Sequence, residues 1–174
     1  MFTVRHAIPS DAGKIYTLYK KVAEAPVGIA RSPDEVTEDY IQQFMKNAAA
    51  TGVELVIDNP DNEAEIIAEI HCSKDALFIF KHVLSDLTIA VHPGFQGKGL
   101  GKIIFTHLLQ FITTSRPDIL RVELFTQESN ERALALYKKL GFTPEGRLEK
   151  RIPGNNNRLE ADIPMAWFNP AYIA

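Results

Sequence analysis

The sequence contains one cysteine, Cys72, so the chain cannot form a disulfide bond within itself. Proteins of a reducing compartment have few or no disulfide bonds, and this count therefore predicts a cytoplasmic location. The chain also lacks a run of uncharged apolar residues long enough for a transmembrane helix. Its first residues, MFTVRHAIPSDAGK, have no basic segment followed by an apolar one, so we expect no signal peptide and no membrane partner.

An excess of basic residues is missing as well. The 19 Lys and Arg residues are outnumbered by 22 Asp and Glu residues, and the formal net charge is −3. A nucleic-acid platform usually has a basic surplus, so no nucleic-acid partner is expected. His71 beside Cys72 is too small a set of ligands for a metal site, and no metal is predicted. With 45% hydrophobic residues and no internal repeat, residues 1–174 are expected to form a single domain, as a monomer or a homodimer.

What the chain does contain is a series of helix and strand signals. Apolar residues at helical spacing predict a first helix: Ile15, Leu18, Tyr19 and Val22. The sequence SPDE predicts that a second helix begins with Ser32 as the N-cap, Pro33 in the first helical position and Glu35 closing a capping box. Gly52 is expected to end that helix.

Three strand patterns follow, VELVID, EIIAEIHCS and HVLSDLTIAV, and then a helix that begins near residue 100. RVELFT predicts another strand, and a short helix from about Asn130 is expected to end at Gly141. The remainder predicts a hairpin around PGNNN, Pro153–Asn157. The predicted fold class is therefore mixed α/β (α+β), with a mostly antiparallel sheet of about seven strands and about four helices.

Three glycines, Gly97, Gly99 and Gly101, stand at alternate positions between the last of these strands and the helix. Closely spaced glycines before a helix expose main-chain N–H groups to an anion at the positive end of the helix. The P-loop pattern would require a glycine at Gln96, and the dinucleotide pattern would require one at Lys102. Both of these nucleotide motifs are therefore excluded.

The pattern that does fit is Q-x-x-G-x-G, Gln96 to Gly101. With the strand before it and the helix after it, LTIAVHPGFQGKGLGKIIFTHLL resembles the GNAT superfamily of acetyl-CoA-dependent N-acyltransferases. A second block, NERALALYKKLGF, matches that family at Asn130, Ala133 and Tyr137 and in its Leu-Gly-Phe ending. The resemblance covers nearly the whole chain.

This resemblance implies acetyl-CoA as the cofactor. The main-chain amides from Gln96 to Lys102 would hold the pyrophosphate: Gln96, Gly97, Lys98, Gly99, Leu100, Gly101 and Lys102. The strand Ile89, Ala90 and Val91 would bind the pantetheine arm at a point where neighbouring strands part. On the short helix, Asn130, Ala133 and Tyr137 would contact the cofactor as well.

The resemblance also implies that Tyr137 acts as a general acid towards the leaving thiolate. The alternative is a core residue, because Tyr137 also lies on an apolar stripe. Candidates for the base, chosen by position, are Glu69, Asp86 and His82, and each also suits a solvated group on a strand. An α-amine with a pKa near ~8 is roughly a tenth neutral at pH 7, so it barely needs a base.

The resulting functional hypothesis is acetyl transfer to a primary amine of a small molecule or of a peptide or protein N-terminus. Tyr40, Glu149 and Arg151 are positions that could select the acceptor. Two alternatives stay open: a module of the same fold that senses acyl-CoA without turnover, and a loop that binds another phosphorylated ligand.

Overall fold

The computed structural model describes residues 2–25, 29–154 and 158–174. Within these ranges the four α-helices are α1 (Ala12–Ala23), α2 (Glu38–Thr51), α3 (Leu100–Ser115) and α4 (Glu131–Lys139). The eight strands of the same ranges are β1 (Val4–His6), β2 (Val53–Asn59), β3 (Asn62–Ser73), β4 (Val83–Val91), β5 (Arg121–Gln127), β6 (Thr143–Pro144), β7 (Leu148–Pro153) and β8 (Leu159–Phe168). This is a mixed α/β fold with an eight-stranded, mostly antiparallel sheet, which confirms the predicted fold class.

Main-chain contacts divide the chain into two compact units. The first unit comprises Met1–Lys74 and Thr88–Phe111, and the second comprises Asp75–Leu87 and Ile112–Ala174. The prediction of a single domain stays a prediction.

In the first unit, β1, β2 and β3 form an antiparallel ladder. Helices α1 and α2 contribute most of a buried cluster, together with Val36 before α2 and side chains from β2, β3 and β4: Ile15, Leu18, Tyr19, Val22, Val36, Ile41, Phe44, Val56, Ile66 and Ala90. The predicted face of the first helix is confirmed, since its four apolar residues are all buried. Each fully buried aliphatic side chain of this size contributes about 1.5–3 kcal/mol, so this cluster is a main source of stability for the unit.

The predicted start of the second helix is wrong. The capping box forms, with the Ser32 N–H donating to Glu35 Oε2 at 2.8 Å, but it encloses only a short 3-10 turn. Val36 then takes an extended backbone and is buried, and α2 begins after Thr37, whose Oγ1 accepts from the Tyr40 N–H at 3.1 Å. The burial of Val36 and the second cap together displace the start of the helix. Its predicted end is confirmed, because the Gly52 N–H donates to the Ala48 carbonyl at 2.9 Å.

In the second unit, β5 pairs with β8 over seven positions, from Arg121 opposite Phe168 to Gln127 opposite Asp162. The short strand β6 and the strand β7 also pair with β8. The predicted final hairpin is thus present as β7 and β8, while Asn155–Asn157 of its predicted turn lie outside the described residues. Strand β6 was not predicted, because its two residues are too few to show an alternating pattern.

Strand β4 pairs in parallel with β5, and in the described part of the chain this ladder covers only Val83–Leu84 and their partners Arg121–Val122. Two residues later Asp86 has a φ of 52°, in the left-handed region. A non-glycine residue there interrupts regular strand geometry. The parallel ladder between β4 and β5 is therefore short. A short ladder is what the expected parting of the strands beside β4 would require.

Candidate active site

The segment after β4 folds into a turn and then a glycine loop. Pro93–Phe95 form a 3-10 turn, and the Nδ1 atom of His92 accepts a hydrogen bond of 3.1 Å from the Gly94 N–H. The side-chain amide of Gln96 donates to the Val91 carbonyl at 3.3 Å. These two bonds hold the beginning of the loop against the end of β4.

Two of the three glycines are required by the backbone. Gly97 and Gly99 have φ angles of 81° and 83°, which residues with a side chain rarely adopt. A Cβ on either residue would meet no atom within 4 Å, so the space over both is open. Gly101 differs, because it lies in the first turn of α3 and has no positive φ.

Main-chain N–H groups gather where the loop enters α3. The first hydrogen bond of the helix runs from the Ile103 N–H to the Gly99 carbonyl, at 3.1 Å. Within the described ranges, no residue accepts from the N–H groups of residues 97–102. Lys98 places its ammonium group 4.3 Å from the centre of the Phe95 ring, and Lys102 is exposed. Unpaired N–H groups, a positive helix end and two lysines together fit a pyrophosphate group.

A small polar network lies beside the start of this loop. Lys21 Nζ is 2.6 Å from Glu65 Oε1 and 3.3 Å from His92 Nε2. Because Nδ1 of His92 accepts from Gly94, the neutral ring carries its proton on Nε2. Burial and then the charge of Lys21 lower the pKa of His92, against the opposing effect of Glu65. The ring is therefore neutral at pH 7 and keeps its structural bond to Gly94.

Glu69, a predicted base, lies in a buried polar cluster of the first unit. It has no exposed surface, so the alternative of a solvated strand-face group is wrong for this residue. The Tyr19 hydroxyl donates to its Oε2 at 2.6 Å, and His71 Nδ1 lies 3.0 Å from its Oε1. Burial and the adjacent charge of Glu69 raise the pKa of Tyr19 well above its usual value, so Tyr19 stays a donor. Both carboxylate oxygens of Glu69 are thus occupied by the protein itself.

Aromatic rings enclose this cluster. The Phe44 ring stacks on His71 with the ring centres 3.9 Å apart and 7° between the planes. Tyr40 contacts Phe44 edge to face, and the Arg31 guanidinium lies 3.9 Å from the centre of the Tyr40 ring. Tyr40, which was considered for acceptor selection, is therefore half-buried at the edge of the cluster.

The other base candidates lie in the second unit and are not buried. Asp86 is exposed at its left-handed position in β4, and His82 is half-buried just before that strand. Glu149 and Arg151 are exposed, and Glu149 forms an ion pair with Arg147. These observations agree with the solvated alternative for Asp86.

Helix α4 carries the predicted acid. Asn130 is its N-cap, with Oδ1 accepting from the Ala133 N–H at 3.1 Å. Tyr137 is the residue of this helix that is buried, and burial raises its pKa to about 12. Ala133, Leu136 and Leu140 are half-buried. The ring of Phe142 lies 6.1 Å from that of Tyr137.

The expected pantetheine-binding residues Ile89, Ala90 and Val91 are the last three residues of β4. Ala90 is fully buried, and its two neighbours are half-buried.

Sequence reasoning missed Tyr19 and His71 as polar partners of Glu69, and it missed the buried Glu54 entirely. The available signal was the alternation of β3, which places Glu69 and His71 on one face of the strand with Ile70 between them on the other. No group of three or more possible metal ligands occurs within residues 2–25, 29–154 and 158–174. No helix in the described part of the chain is long and apolar enough to cross a membrane.

Comparison with known proteins identifies the family. The model of the Acetyltransferase (GNAT) family matches residues 15–142, most of the chain. The protein therefore belongs to the GNAT acetyltransferase family, as the two sequence blocks predicted.

Curated relatives are similar over parts of their length. The chain is 43% identical to a mycothiol acetyltransferase of Beutenbergia cavernae over 56 residues and 39% identical to a ribosomal protein bS18-alanine N-acetyltransferase of Salmonella typhimurium over 70 residues, which are 32% and 38% of this chain. It spans 18% and 46% of the length of those relatives, less than half of each. A 5-NmdU N-acetyltransferase of Pseudomonas phage PaMx11 is 27% identical over 146 residues, which are 84% of this chain and 90% of that protein.

Solved structures share the fold. A GNAT superfamily phosphinothricin acetyltransferase from Sinorhizobium meliloti, in complex with acetyl-CoA, superimposes with a TM-score of 0.82 at 18% identity, over 98% of this chain and 90% of that one. The ribosomal-protein-S18-alanine N-acetyltransferase from Escherichia coli gives a TM-score of 0.74 at 22% identity, over 100% of this chain and 96% of that one.

Proposed function

We propose that the protein transfers an acetyl group from acetyl-CoA to a primary amine of a small molecule or of a peptide or protein N-terminus. The amine attacks the thioester directly in a ternary complex. The observation that carries this proposal is the loop of residues 97–102: its N–H groups have no acceptor among the described residues, and the space that a Cβ would fill at Gly97 and Gly99 is open. The names of the relatives, which include acetyltransferases of ribosomal protein bS18 and of spermidine, support an amine acceptor of either kind.

In this proposal the loop binds the pyrophosphate of the cofactor. Side chains at residues 97 and 99 would both strain the backbone and fill the space that the phosphate oxygens need. Ile89, Ala90 and Val91 bind the pantetheine arm through their main chain. The N-cap Asn130 and the α4 residues Ala133 and Tyr137 contact the same molecule, with Asn130 using its Nδ2 group because its Oδ1 caps the helix.

Bound acetyl-CoA supplies an activated acetyl group and a thiol that leaves readily. Tyr137, with its pKa raised to about 12, is protonated throughout the physiological range. A phenol of that pKa is a weaker acid than a thiol with a pKa near ~8.5, so complete proton transfer to the sulfur is uphill. Tyr137 therefore acts by donating a hydrogen bond to the departing sulfur.

The proton of the amine leaves by way of an exposed group. Asp86 is solvent-accessible, whereas both oxygens of Glu69 already accept hydrogen bonds inside the protein. We propose that Asp86, through water, receives the proton, and that Glu69 holds Tyr19 of α1 and His71 of β3 in place. Asp86→Asn is then expected to change the pH profile of kcat/KM. The value of kcat at high pH should change less.

Calorimetric titration of acetyl-CoA tests the cofactor assignment, with ATP and NAD as comparison ligands. Saturable binding of acetyl-CoA alone is expected. Gly99→Ala should weaken it at least tenfold, while Gly13→Ala is the matched control, since Gly13 is exposed, has no positive φ and has no atom within 4 Å of an added Cβ. Absence of binding at millimolar acetyl-CoA by folded wild-type protein would contradict the proposal.

A non-catalytic acyl-CoA sensor of the same fold is the alternative, because the loop and the proposed chemical groups are separate residues. Release of free thiol from acetyl-CoA in the presence of a panel of primary amines distinguishes the two. Amine-dependent release supports the enzyme. Binding of acetyl-CoA without release from any amine in the panel supports the sensor.

A further inference from the structure

A cavity of about 280 Å³ in the first unit is lined by the residues that follow β1, by α2 and by the start of β2. Much of its wall is apolar, including Ile8, Pro9, Ala12 and Met45. None of its lining residues belongs to the set that we assign to acetyl-CoA or to catalysis. The cavity is therefore a second concave site that the proposed function leaves unexplained.

One buried carboxyl group lines this cavity without a partner. The Glu54 side chain is largely inaccessible, since the residue is only 8% exposed. Its Oε1 atom is buried and has no hydrogen-bond partner among the described residues, and none of them forms an ion pair with Glu54. The main chain of Glu54 is held in the sheet, where its carbonyl accepts from the Ala7 N–H at 3.2 Å. A buried acceptor without a donor is costly in a folded protein, so such an atom points to a ligand.

The charges around Glu54 are mostly negative. The groups that face it are Asp11 after β1, Tyr19 in α1, Lys46 in α2, and Glu69 and His71 in β3. Asp11 is already paired with Arg5 at 2.7 Å, and Glu69 accepts from Tyr19 and His71. Lys46 is the cation of the lining, and it is exposed. The site therefore favours a positively charged group over an anion.

Burial, with the charges of Glu69 and Asp11, raises the pKa of Glu54 to about 8. At pH 7 the neutral form then exceeds the carboxylate by about tenfold. A cation that binds the carboxylate must overcome this tenfold preference of Glu54 for its neutral form. In return, the cation and the carboxylate form charge-assisted hydrogen bonds, which are about twice as strong as neutral ones.

We propose that this cavity binds an alkylammonium ion, with the ammonium group donating to the carboxylate of Glu54 and a short carbon chain packing against Ile8, Ala12 and Met45. An ammonium group has three donors and no acceptor, which matches an orphaned carboxylate. The apolar wall accounts for the carbon chain, because burying each methylene group is favourable. This inference goes beyond the proposed function and does not depend on it.

Binding of n-butylammonium to the full chain, measured by calorimetry without acetyl-CoA, tests the proposal. n-Butanol and n-butyrate are the comparison ligands. The titrations are made at pH 7 in two buffers of different ionisation enthalpy, so that proton release can be counted. We expect saturable binding of n-butylammonium, at least tenfold weaker binding of the two comparison ligands, and release of close to one proton per bound ion.

Three variants sharpen the test. Glu54→Gln is expected to weaken n-butylammonium binding at least tenfold and to abolish the proton release. Lys46→Met, which removes the cation of the lining, should strengthen binding severalfold. Glu24→Gln, a change at an exposed carboxyl in the first unit, should have no effect.

The proposal is overturned if folded wild-type protein shows no saturable n-butylammonium binding, if n-butanol binds equally well, or if Glu54→Gln binds as tightly as the wild type. Should Glu54→Gln fail to fold, the methyl NMR signal of Met45 in the wild type decides. A shift that saturates with n-butylammonium supports the site, and an unchanged signal refutes it. Loss of acetyl-CoA binding would contradict the proposed function and leave these measurements unaffected.

Discussion

The Tyr19 hydroxyl donates a 2.6 Å hydrogen bond to Glu69 Oε2 across the boundary between α1 and β3, and neither residue has measurable exposed surface. This bond links the helix layer to the sheet through a buried carboxylate. The other oxygen of Glu69 is engaged by His71, so each carboxylate oxygen has a partner within the protein.

We expect Tyr19→Phe to lower the free energy of unfolding by about 1–3 kcal/mol, because it leaves a buried carboxylate oxygen without its donor. Tyr16→Phe is the matched control, a change of the same chemistry on a half-buried residue of the same helix. Chemical denaturation of both variants measures the difference. Equal stability of the two variants would show that the bond to Glu69 contributes nothing.

Gly52→Ala is expected to destabilise the protein by about 2–4 kcal/mol. A Cβ at this position would lie 1.9 Å from the Cys72 carbonyl oxygen and 2.7 Å from the Ser73 Cα, so the backbone of β3 would have to move. Gly13→Ala, where an added Cβ meets no atom within 4 Å, should be neutral or stabilising by up to ~1 kcal/mol. Thermal denaturation of both variants checks this contrast, and a melting temperature of Gly52→Ala within one degree of the wild type would refute it.

The pKa of Glu54 predicts a pH dependence of stability. Burial, then the charges of Glu69 and Asp11, raise that pKa to about 8, whereas the same carboxyl in the unfolded chain has its ordinary pKa of 4.5. Between these two values the folded protein binds more protons than the unfolded chain, so the free energy of unfolding falls as the pH rises from 4.5 to about 8. The effect is absent below this window, where both states are protonated.

Glu54→Gln should remove this slope. At pH 8 we expect the variant to be more stable than the wild type by on the order of 2–4 kcal/mol, with the difference shrinking towards pH 4.5. Urea denaturation across this pH range measures it, and Glu24→Gln serves as the control at an exposed carboxyl. A constant difference between Glu54→Gln and the wild type over the whole range would contradict the assignment.

Tyr137→Phe is expected to lower kcat for acetyl transfer by about 10- to 100-fold and to change the KM for acetyl-CoA little, because the lost hydrogen bond forms as the sulfur departs. Tyr172→Phe, a half-buried tyrosine outside the proposed site, is the control. Since burial raises the pKa of Tyr137 to about 12, the rate should show no fall due to this residue below pH 10. Full activity of Tyr137→Phe would exclude the hydrogen-bond role.

The second helix shows where local sequence signals stop being sufficient. Ser32 and Glu35 form the capping box that their spacing predicts, yet α2 begins at Glu38. A cap stabilises a helix by about 1 kcal/mol, and the burial of one valine is worth at least as much. The burial of Val36 in the core therefore decides the path of the chain over the competing cap.

The predicted site divides in the same way. The glycine loop was predictable because its requirements are local: positive φ angles at Gly97 and Gly99 and a helix that begins directly afterwards. The environment of Glu69 was not predictable from local signals, because its partner Tyr19 is 50 residues away along the chain. Whether a carboxylate on a strand meets water or a buried donor depends on what packs over that strand.

The amino-acid sequence alone therefore determined the first helix, the glycines Gly52 and Gly141 that follow α2 and α4, the order of the strands other than β6, and the loop that places the chain in its family. These features depend on backbone conformation and on periodicity, which neighbouring residues set among themselves. Tertiary structure alone decided the start of α2, the two-residue strand β6, the enclosure of Glu69 and the orphaned carboxyl of Glu54. Each of these depends on burial, and burial is a property of the packed chain as a whole.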